Sequence, residues 1–176
     1  MRFIKNSELN RIDKSEFISA QKMPVTIVLD NVRSGLNVGS FFRTADAFRV
    51  KEIVLCGITA IPPDREILKS ALGATESVAW TYEKNTATVL ENLKNKGVKI
   101  LAVEQSDMSN QLHSFSPEVN TEYALVFGHE VKGVDEGLIP YLDGSIEVPQ
   151  SGTKHSLNVS VCGGIVLWDF YRKLML

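Results

Sequence analysis

The sequence predicts an α/β fold, in which a mostly parallel sheet is covered by helices on both faces. Short apolar runs rich in β-branched residues alternate along the chain with amphipathic stretches of helical period. These runs are continuously apolar, which is typical of strands that are buried on both faces. At 176 residues, 44% of them apolar, the chain is long enough for one sizeable core and short for two. We therefore expect one domain over residues 23–176, preceded by a helical extension over residues 1–22.

Six strands and five helices are predicted. The strands are expected at residues 25–29, 52–56, 77–80, 98–103, 124–127 and 146–148. The helices are expected at residues 3–21, 37–48, 62–72 and 86–96, and from about residue 156 onward. Pro24 is expected to end the first helix and Pro149 the last strand, because proline has no amide hydrogen to donate.

The second predicted helix carries polar residues beside its apolar stripe. Asn37 is a favourable N-cap residue for it. Gly39 and Arg43 lie four residues apart on one flank, so the glycine is expected to open space one turn before the guanidinium group. Two interpretations of Arg43 follow from its position: an ion pair with Asp46, three residues along the helix, or contact with a ligand.

The last predicted helix is apolar on more than one side. One face carries Leu157, Val161, Ile165 and Trp168, and another carries Val159, Val166 and Phe170. A helix that is apolar most of the way round is expected to be buried on both sides. We therefore expect it to pack against its own sheet and against a second subunit.

Composition and charge exclude several classes of protein. A net charge of -2 gives no global electrostatic case for nucleic-acid binding and none against a local basic patch. Both cysteines lie in apolar runs, and the absence of a CxxC motif or a histidine cluster predicts no metal site. The sequence contains no apolar signal core and no stretch able to span a bilayer, so a reducing, cytoplasmic setting is expected and no membrane contact.

Three polar, glycine-containing loops follow predicted strands. They cover residues 30–43, 128–137 and 149–158. Because each follows a strand, all three should emerge at the carboxyl edge of the sheet, where open α/β proteins bind ligands. Neither GxGxxG nor GxxxxGK[ST] occurs in the sequence, so a dinucleotide or phosphate-loop site loses its main support.

The residues of these loops resemble the three ordered motifs of the SpoU/TrmH family, the RNA ribose 2′-O-methyltransferases of the SPOUT class. The similar stretches are Asn37-Val38-Gly39 with Arg43, Phe127 to Glu130 with Lys132-Gly133, Ile146 to Pro149, and Ser156 to Ser160. The resemblance covers roughly residues 25–173. It implies a C-terminal deep trefoil knot, S-adenosyl-L-methionine bound in that knot, and a homodimer with active sites near the subunit interface.

The resemblance also assigns roles to particular residues. It places the cofactor against Phe127, Gly128, Val148, Gln150 and Leu157, and the chemistry on Arg43, Asn37, Glu130, Ser156 and Asn158. The matching arginine of the family activates the ribose hydroxyl, either as a general base or, as we prefer, as a cation that stabilises the developing alkoxide. Simpler structural roles compete: Asn37, Ser156 and Asn158 could cap helices, and Glu130 could anchor a backbone turn.

Two departures from the family pattern bear on the substrate. His129 stands where the family often has asparagine, and Gln150 stands where it often has an apolar residue. Residues 103–106 and 165–168 look most like the branch that methylates a guanosine of the tRNA D-loop. We therefore expect tRNA as the substrate, with ribosomal RNA as the alternative. A catalytically silent RNA-binding member and an unrelated nucleotide-binding domain are the competing hypotheses, and Arg33, Arg65, Lys132 and Lys154 are candidates for a phosphate-binding rim.

Overall fold

A computed structural model describes residues 1–176, apart from the side chain at position 6. Seven strands form one sheet: β1 (Met23–Asp30), β2 (Val50–Cys56), β3 (Trp80–Glu83), β4 (Lys99–Val103), β5 (Asn110–Gln111), β6 (Tyr123–Phe127) and β7 (Gly144–Glu147). Their spatial order is β3-β2-β1-β6-β4-β7-β5, and each neighbouring pair is parallel. The predicted α/β class is confirmed, and the sheet is parallel at every pairing rather than at most of them.

Five α-helices cover the two faces of the sheet. They are α1 (Lys14–Ser19), α2 (Gly35–Ala47), α3 (Arg65–Ala71), α4 (Thr86–Asn95) and α5 (Val159–Leu174), with 3-10 turns at Asn6–Glu8, Ala74–Glu76 and Glu136–Tyr141. Ile27 of β1 joins a core shared with α2, α3 and α5. Its neighbour Val28 joins a second core shared with α4. Successive strand residues therefore face opposite helical layers, which explains why the strands are continuously apolar.

The predicted helix over residues 3–21 is wrong over most of its length. Only Lys14–Ser19 is α-helical, because Asp13 begins a new helix there by accepting a hydrogen bond from the amide of Glu16. Asn10 lies in the left-handed region at φ 41°, where a right-handed helix cannot continue. Pro24 lies inside β1 and does not end a helix.

The third strand lies later than predicted. Residues 77–80 were expected to form it, but β3 begins only at Trp80. The Ser77 hydroxyl donates to Asp46 and the Val78 amide to the Ala74 carbonyl, which holds this stretch in a turn. At the other edge, β5 was not predicted, because two residues are too few to show a period.

The N-termini of α2 and α5 also differ from the prediction. Ser34 caps α2, whereas Asn37 was expected to cap it and lies in its first turn. Asn158 caps α5 by accepting hydrogen bonds from the amides of Ser160 (3.0 Å) and Val161 (3.2 Å). The helix therefore begins at Val159, slightly after the predicted residue 156.

Gly39 does not open space beside Arg43. A methyl group added there would lie 2.1 Å from Oγ of Ser70 and 2.4 Å from the carbonyl oxygen of Ile67. Both belong to α3, so the glycine allows α2 and α3 to approach closely. The expectation of open space beside Arg43 is therefore wrong, because it considered α2 alone and not the packing of α3 against it.

Helix α5 is buried on one side and exposed on the other. Val166, Leu167 and Phe170 are fully buried against the sheet. Val161, Ile165 and Trp168 are exposed at 53%, 39% and 48%, and we call these three residues the α5 strip. Within the described residues, none of the helices is long and apolar enough to cross a membrane.

Candidate active site

A cavity of about 560 Å³ lies beyond the carboxyl ends of β4, β6 and β7. It is lined by residues 103–105, 127–133, 146–148, 150 and 155–159 together with Cys162. The five residues predicted to bind the cofactor all line it: Phe127, Gly128, Val148, Gln150 and Leu157. The parallel strands thus bring the second and third polar loops to one place, as their positions after strands predicted.

The backbone of residues 128–134 forms one wall of the cavity. The amide of His129 donates to the carbonyl of Gly133 (3.0 Å), and the reverse bond is 2.8 Å. Gly133 has φ 73°, which closes this turn. A methyl group added at Gly128 would lie 2.1 Å from the carbonyl carbon of Gly133 and 2.2 Å from the amide nitrogen of Val134. Only glycine at position 128 therefore allows the loop to fold back this tightly.

The His129 side chain stabilises the same turn. Its Nδ1 accepts hydrogen bonds from the amides of Val131 (3.0 Å) and Lys132 (3.4 Å). An asparagine carboxamide often accepts from the amide two residues on, so the histidine performs a role that the asparagine expected from the motif could also perform. We infer that this departure from the motif preserves the shape of the wall.

Glu130 connects this wall to the N-terminus of α2. Its carboxylate accepts hydrogen bonds from the amides of Arg33 (3.2 Å) and Ser34 (3.0 Å), and from Nδ2 of Asn37 (3.1 Å). Burial by itself raises the pKa of Glu130, but these hydrogen bonds outweigh it and hold the pKa below its ordinary value of 4.5. The carboxylate is therefore ionised at neutral pH and anchors the turn before α2.

Asn37 connects α2 to α5. Its Oδ1 accepts hydrogen bonds from Nδ2 of Asn158 (3.1 Å) and from the Ser160 hydroxyl (3.3 Å). Asn37 is 9% exposed, and its side chain joins α2 to α5 rather than capping a helix. Glu130, Asn37 and Asn158 form one network that fixes the three motif segments relative to one another. Ser34 and Ser160 belong to it and were not among the predicted site residues, although Ser160 lies within the third motif.

Arg43 lies apart from this network. It is exposed and lines a second hollow of about 480 Å³ with Ser40, Thr44, Ala47, Phe48, Ser70 and Gly164. Six residues of α2 separate it from Asn37, or about 9 Å along the helix axis. The alternative pairing with Asp46 is not found among the ion pairs of the described side chains, and Asp46 accepts from Ser77 instead. Four of the five residues assigned to chemistry thus gather at or beside the cavity, and Arg43 does not.

The charged groups of the cavity are mostly acidic. Glu104, Glu130 and Glu147 line it, together with Lys132. Burial, and after it the Glu104 carboxylate, raises the pKa of the Cys162 thiol to about 11, so this thiol stays neutral. Arg33, Arg65 and Lys154 are exposed, as a rim for phosphates requires. Over the part of the chain that the structure describes, no group of three or more His, Cys, Asp or Glu side chains is arranged to hold a metal ion.

Glu104 was missed as a site residue. It follows β4 and lines the cavity. Residues 103–106 were noted only for their likeness to one branch of the family, and no role was given to Glu104. A carboxylate directly after an apolar strand is the signal that would have found it.

Comparison with known proteins places this site in a family. The model of the SpoU rRNA Methylase family matches residues 24–168. The 23S rRNA (guanosine-2'-O-)-methyltransferase RlmB of Neisseria meningitidis is 31% identical over 153 residues, 87% of this chain and 60% of that protein. The RlmB of Vibrio cholerae is 28% identical over 168 residues, 96% of this chain and 67% of that protein. The chain thus spans about 60% of the length of the first curated relatives that it matches.

Solved structures give the same result. The AdoMet-bound rRNA methyltransferase of Sinorhizobium meliloti aligns with a TM-score of 0.81 at 26% identity, over 89% of this chain and 59% of that one. The TrmH/SpoU tRNA modifying enzyme of A. aeolicus aligns with a TM-score of 0.80 at 26% identity, over 91% and 80%. Because the family model covers residues 24–168 and includes all three motif loops, the chain belongs to the SpoU rRNA Methylase family.

Proposed function

We propose that this chain is an S-adenosyl-L-methionine-dependent methyltransferase that modifies a ribose 2′-hydroxyl of RNA. The observation that best supports this proposal is the hydrogen-bond network of Glu130, Asn37 and Asn158. It fixes three motif segments at one cavity at the carboxyl edge of the sheet. Residues 23–176 form the methyltransferase domain in this proposal, and residues 1–22 are an extension. An RNA-modifying activity is also consistent with the cytoplasmic setting that the sequence predicts.

The cavity fits such a cofactor in size and chemistry. Its volume of about 560 Å³ lies within the range of roughly 300–1,000 Å³ that is usual for small-molecule sites. Phe127, Val148 and Leu157 provide apolar walls for an adenine ring, and the Gly128 backbone allows close approach. Gln150 lies at the exposed rim, where it can contact the polar end of the molecule. When bound, S-adenosyl-L-methionine supplies an electrophilic methyl group on a sulfonium.

The side chains at the rim of the cavity are suited to binding the ribose that receives the methyl group. Ser156 and Asn158 are exposed where the cavity opens and can orient a ribose. The reaction also needs help in removing the hydroxyl proton. An arginine guanidinium stays protonated in proteins, so Arg43 acts as a cation that holds a phosphate and stabilises the alkoxide, in preference to acting as a base.

The position of Arg43 leads us to propose a homodimer. Arg43 faces a different hollow from the cofactor cavity of its own chain, and Gly164 of α5 borders that hollow. The exposed α5 strip lies on the same helix. We infer that two chains pack through this face and that each supplies Arg43 to the cavity of the other.

Mixing two inactive variants tests this arrangement. Arg43→Ala and Asn158→Ala are each expected to be inactive as pure proteins. If Arg43 acts across the interface, an equal mixture gives about half of its dimers as mixed pairs. Each mixed pair has one intact site out of two, so about a quarter of wild-type activity returns. If Arg43 acts on its own cavity, the mixture stays inactive and the arrangement is wrong.

Methyl transfer to RNA tests the activity itself. Relatives in the comparison act, by name, on 23S rRNA or on tRNA, and we favour tRNA with a D-loop guanosine as the target. Labelled S-adenosyl-L-methionine is incubated with total tRNA and, separately, with ribosomal RNA. We expect label at a nucleotide that resists alkaline cleavage, and this label should disappear with Arg43→Ala. It should persist with the control variant Lys96→Ala, because Lys96 is an exposed cation at the end of α4.

The outcomes separate the alternatives. Label in ribosomal RNA alone keeps the reaction and replaces tRNA as the substrate. Cofactor binding without transfer to either RNA points to the catalytically silent, RNA-binding alternative. A failure to bind S-adenosyl-L-methionine contradicts the proposal.

We further propose that the C-terminal segment is threaded through a deep trefoil knot. The spatial order of the last strands, β6-β4-β7-β5, differs from their order along the chain, and Lys173 of α5 donates to the carbonyls of Leu112 (2.9 Å) and Phe115 (2.6 Å), which precede β6. Pulling single molecules by their ends tests this. A knotted chain stays shorter when unfolded than about 3.6 Å per residue over its length allows, and an unknotted one reaches that length.

A further inference from the structure

The position of Glu104 is fixed by the sheet. It is the first residue after β4, and its amide donates to the carbonyl of Ile146 in β7 (3.1 Å). The side chain is half-buried and enters the cavity between the wall of residues 128–134 and the third motif loop. None of the roles assigned to the motif residues uses this carboxylate.

The carboxylate of Glu104 has acceptor capacity left. Oε1 accepts from the amide of Gln105 (3.0 Å), and Oε2 accepts from the amide of Val134 (3.3 Å). A methyl group added at Gly133 would lie 2.5 Å from Oε2, so the carboxylate packs closely against this glycine. Each carboxylate oxygen can accept about two hydrogen bonds, so one position remains on each of two adjacent oxygens.

The other two carboxylates of the cavity are differently engaged. Glu130 accepts from three donors that belong to the protein. Glu147 accepts from the Gln111 side chain, a contact that ties β7 to β5. Glu104 is therefore the acidic side chain, among those lining the cavity, that is held by backbone amides alone and presents both oxygens in a fixed orientation.

We propose that Glu104 binds the ribose 2′- and 3′-hydroxyls of the cofactor. A pair of adjacent hydroxyls offers two donors at the spacing of a carboxylate's two oxygens. A carboxylate at the end of a strand is also how other nucleotide-binding α/β sheets hold a ribose hydroxyl. The inference rests on the proposed cofactor and adds the residue that selects its ribonucleoside part.

Binding of ribose-modified ligands tests the assignment without measuring catalysis. Titration calorimetry is carried out with S-adenosylhomocysteine and with its 2′-deoxyribose analogue. The wild type is expected to bind the analogue about ten- to a hundredfold more weakly, as for loss of a hydrogen bond to a charged group. Glu104→Gln should bind S-adenosylhomocysteine more weakly by a similar factor but distinguish the two ligands by less than about threefold.

The control is Glu147→Gln, which changes a cavity carboxylate that is engaged by the Gln111 side chain and to which no contact with the cofactor is assigned. It should keep the wild-type discrimination between the ligands. If Glu104→Gln does not fold, as judged by circular dichroism, Glu104→Asp replaces it, since the shorter side chain keeps the charge and loses the reach.

Four results would overturn the assignment. Equal weakening of both ligands by Glu104→Gln would mean that the residue only shapes the loop. A much larger loss for S-adenosyl-L-methionine than for S-adenosylhomocysteine would mean that the carboxylate faces the sulfonium. Wild-type protein that binds neither would remove the proposed function and this inference with it, whereas binding without ribose discrimination removes the inference alone.

Discussion

Hydrogen bonds from three separate segments meet at two side chains, Asn37 and Glu130. The amides of Arg33 and Ser34 and the side chain of Asn37 donate to the carboxylate, and Asn158 donates to Asn37. A buried polar group is costly when a partner is lost, so these residues hold the site as a unit. The hydrogen bonds of Asn37 and Glu130 therefore hold the motif segments in place.

The ionisation of Glu130 makes a measurable contribution to stability. Its pKa in the folded chain lies below the ordinary 4.5, so it stabilises the fold above that pH and loses the contribution as the pH falls through the lower folded value. Glu130→Gln is expected to lower the free energy of unfolding by about 1–3 kcal/mol at pH 7. The difference from wild type should shrink as the pH is lowered from 7 to below 4.5, which urea unfolding at each pH measures. A difference that stays constant over this range would contradict the role given to the charge.

His129 gives a second prediction at this scale. Because its Nδ1 accepts the amides of Val131 and Lys132, His129→Ala should loosen the cavity wall and weaken cofactor binding about tenfold. His129→Asn should bind within about threefold of wild type, since a carboxamide oxygen can accept the same amides. Calorimetric titration with S-adenosyl-L-methionine distinguishes the two. Equal loss in both variants would show that the imidazole contacts the ligand itself.

The sequence identified these residues as candidate site residues, but it could not predict their hydrogen-bond partners. Asn37, Glu130 and Asn158 lie in polar loops that follow strands, which is a local signal, and the resemblance to the family motifs assigned their roles. That Asn37 lies inside α2 and bonds to α5 depends on Ser34 taking the cap and on residues about 120 positions apart meeting. Arg43 shared a motif with Asn37 but faces another hollow, because the helix carries it about 9 Å away.

At the scale of elements, apolar periodicity predicted the buried strands and failed at the edges. The central strands β1, β2, β4 and β6 were predicted to within about two residues, because burial on both faces leaves continuous apolar runs. Edge strands β3 and β5 carry polar and exposed residues, and the helical turn at α1 depends on one capping side chain. Such elements are set by contacts with neighbours and not by their own pattern.

The packing of α2 on α5 depends on one glycine. A methyl group added at Gly163 would lie 2.3 Å from Cε1 of Phe41, whose ring is 1% exposed and centred 4.8 Å from that of Phe127. The ring cannot move away, so Gly163→Ala should cost about 1–3 kcal/mol of unfolding free energy.

A smaller partner provides the control for this prediction. Phe41→Leu removes the ring atoms that the methyl group would meet, and it destabilises the core by itself. The double variant should nevertheless be less destabilised than the sum of the two single variants, by at least about 1 kcal/mol. Strict additivity would mean that the strain arises elsewhere in α5.

At the scale of the whole molecule, helix α5 leaves an apolar surface exposed. The α5 strip, Val161, Ile165 and Trp168, is exposed on a helix whose other side is buried in the core. It lies beside the hollow that contains Arg43, whose bordering residues include Gly164. A second copy of the chain on this surface would cover the strip and bring a guanidinium to a cavity that has none of its own.

A charge placed on the strip should therefore separate the subunits. Ile165→Glu puts a carboxylate where an apolar contact is expected, and burying an unpaired charge is costly enough to shift the equilibrium to monomer. Ile139→Glu is the matched control, because Ile139 is an exposed isoleucine (61%) on the 3-10 turn packed against α4. Sedimentation at several concentrations should give a dimer for wild type and Ile139→Glu and a monomer for Ile165→Glu.

Since the monomer would keep its cavity but lose the partner's Arg43, it should still bind S-adenosyl-L-methionine while losing methyl transfer. A dimeric Ile165→Glu protein, or a monomer with full activity, would show that the site is complete within one chain.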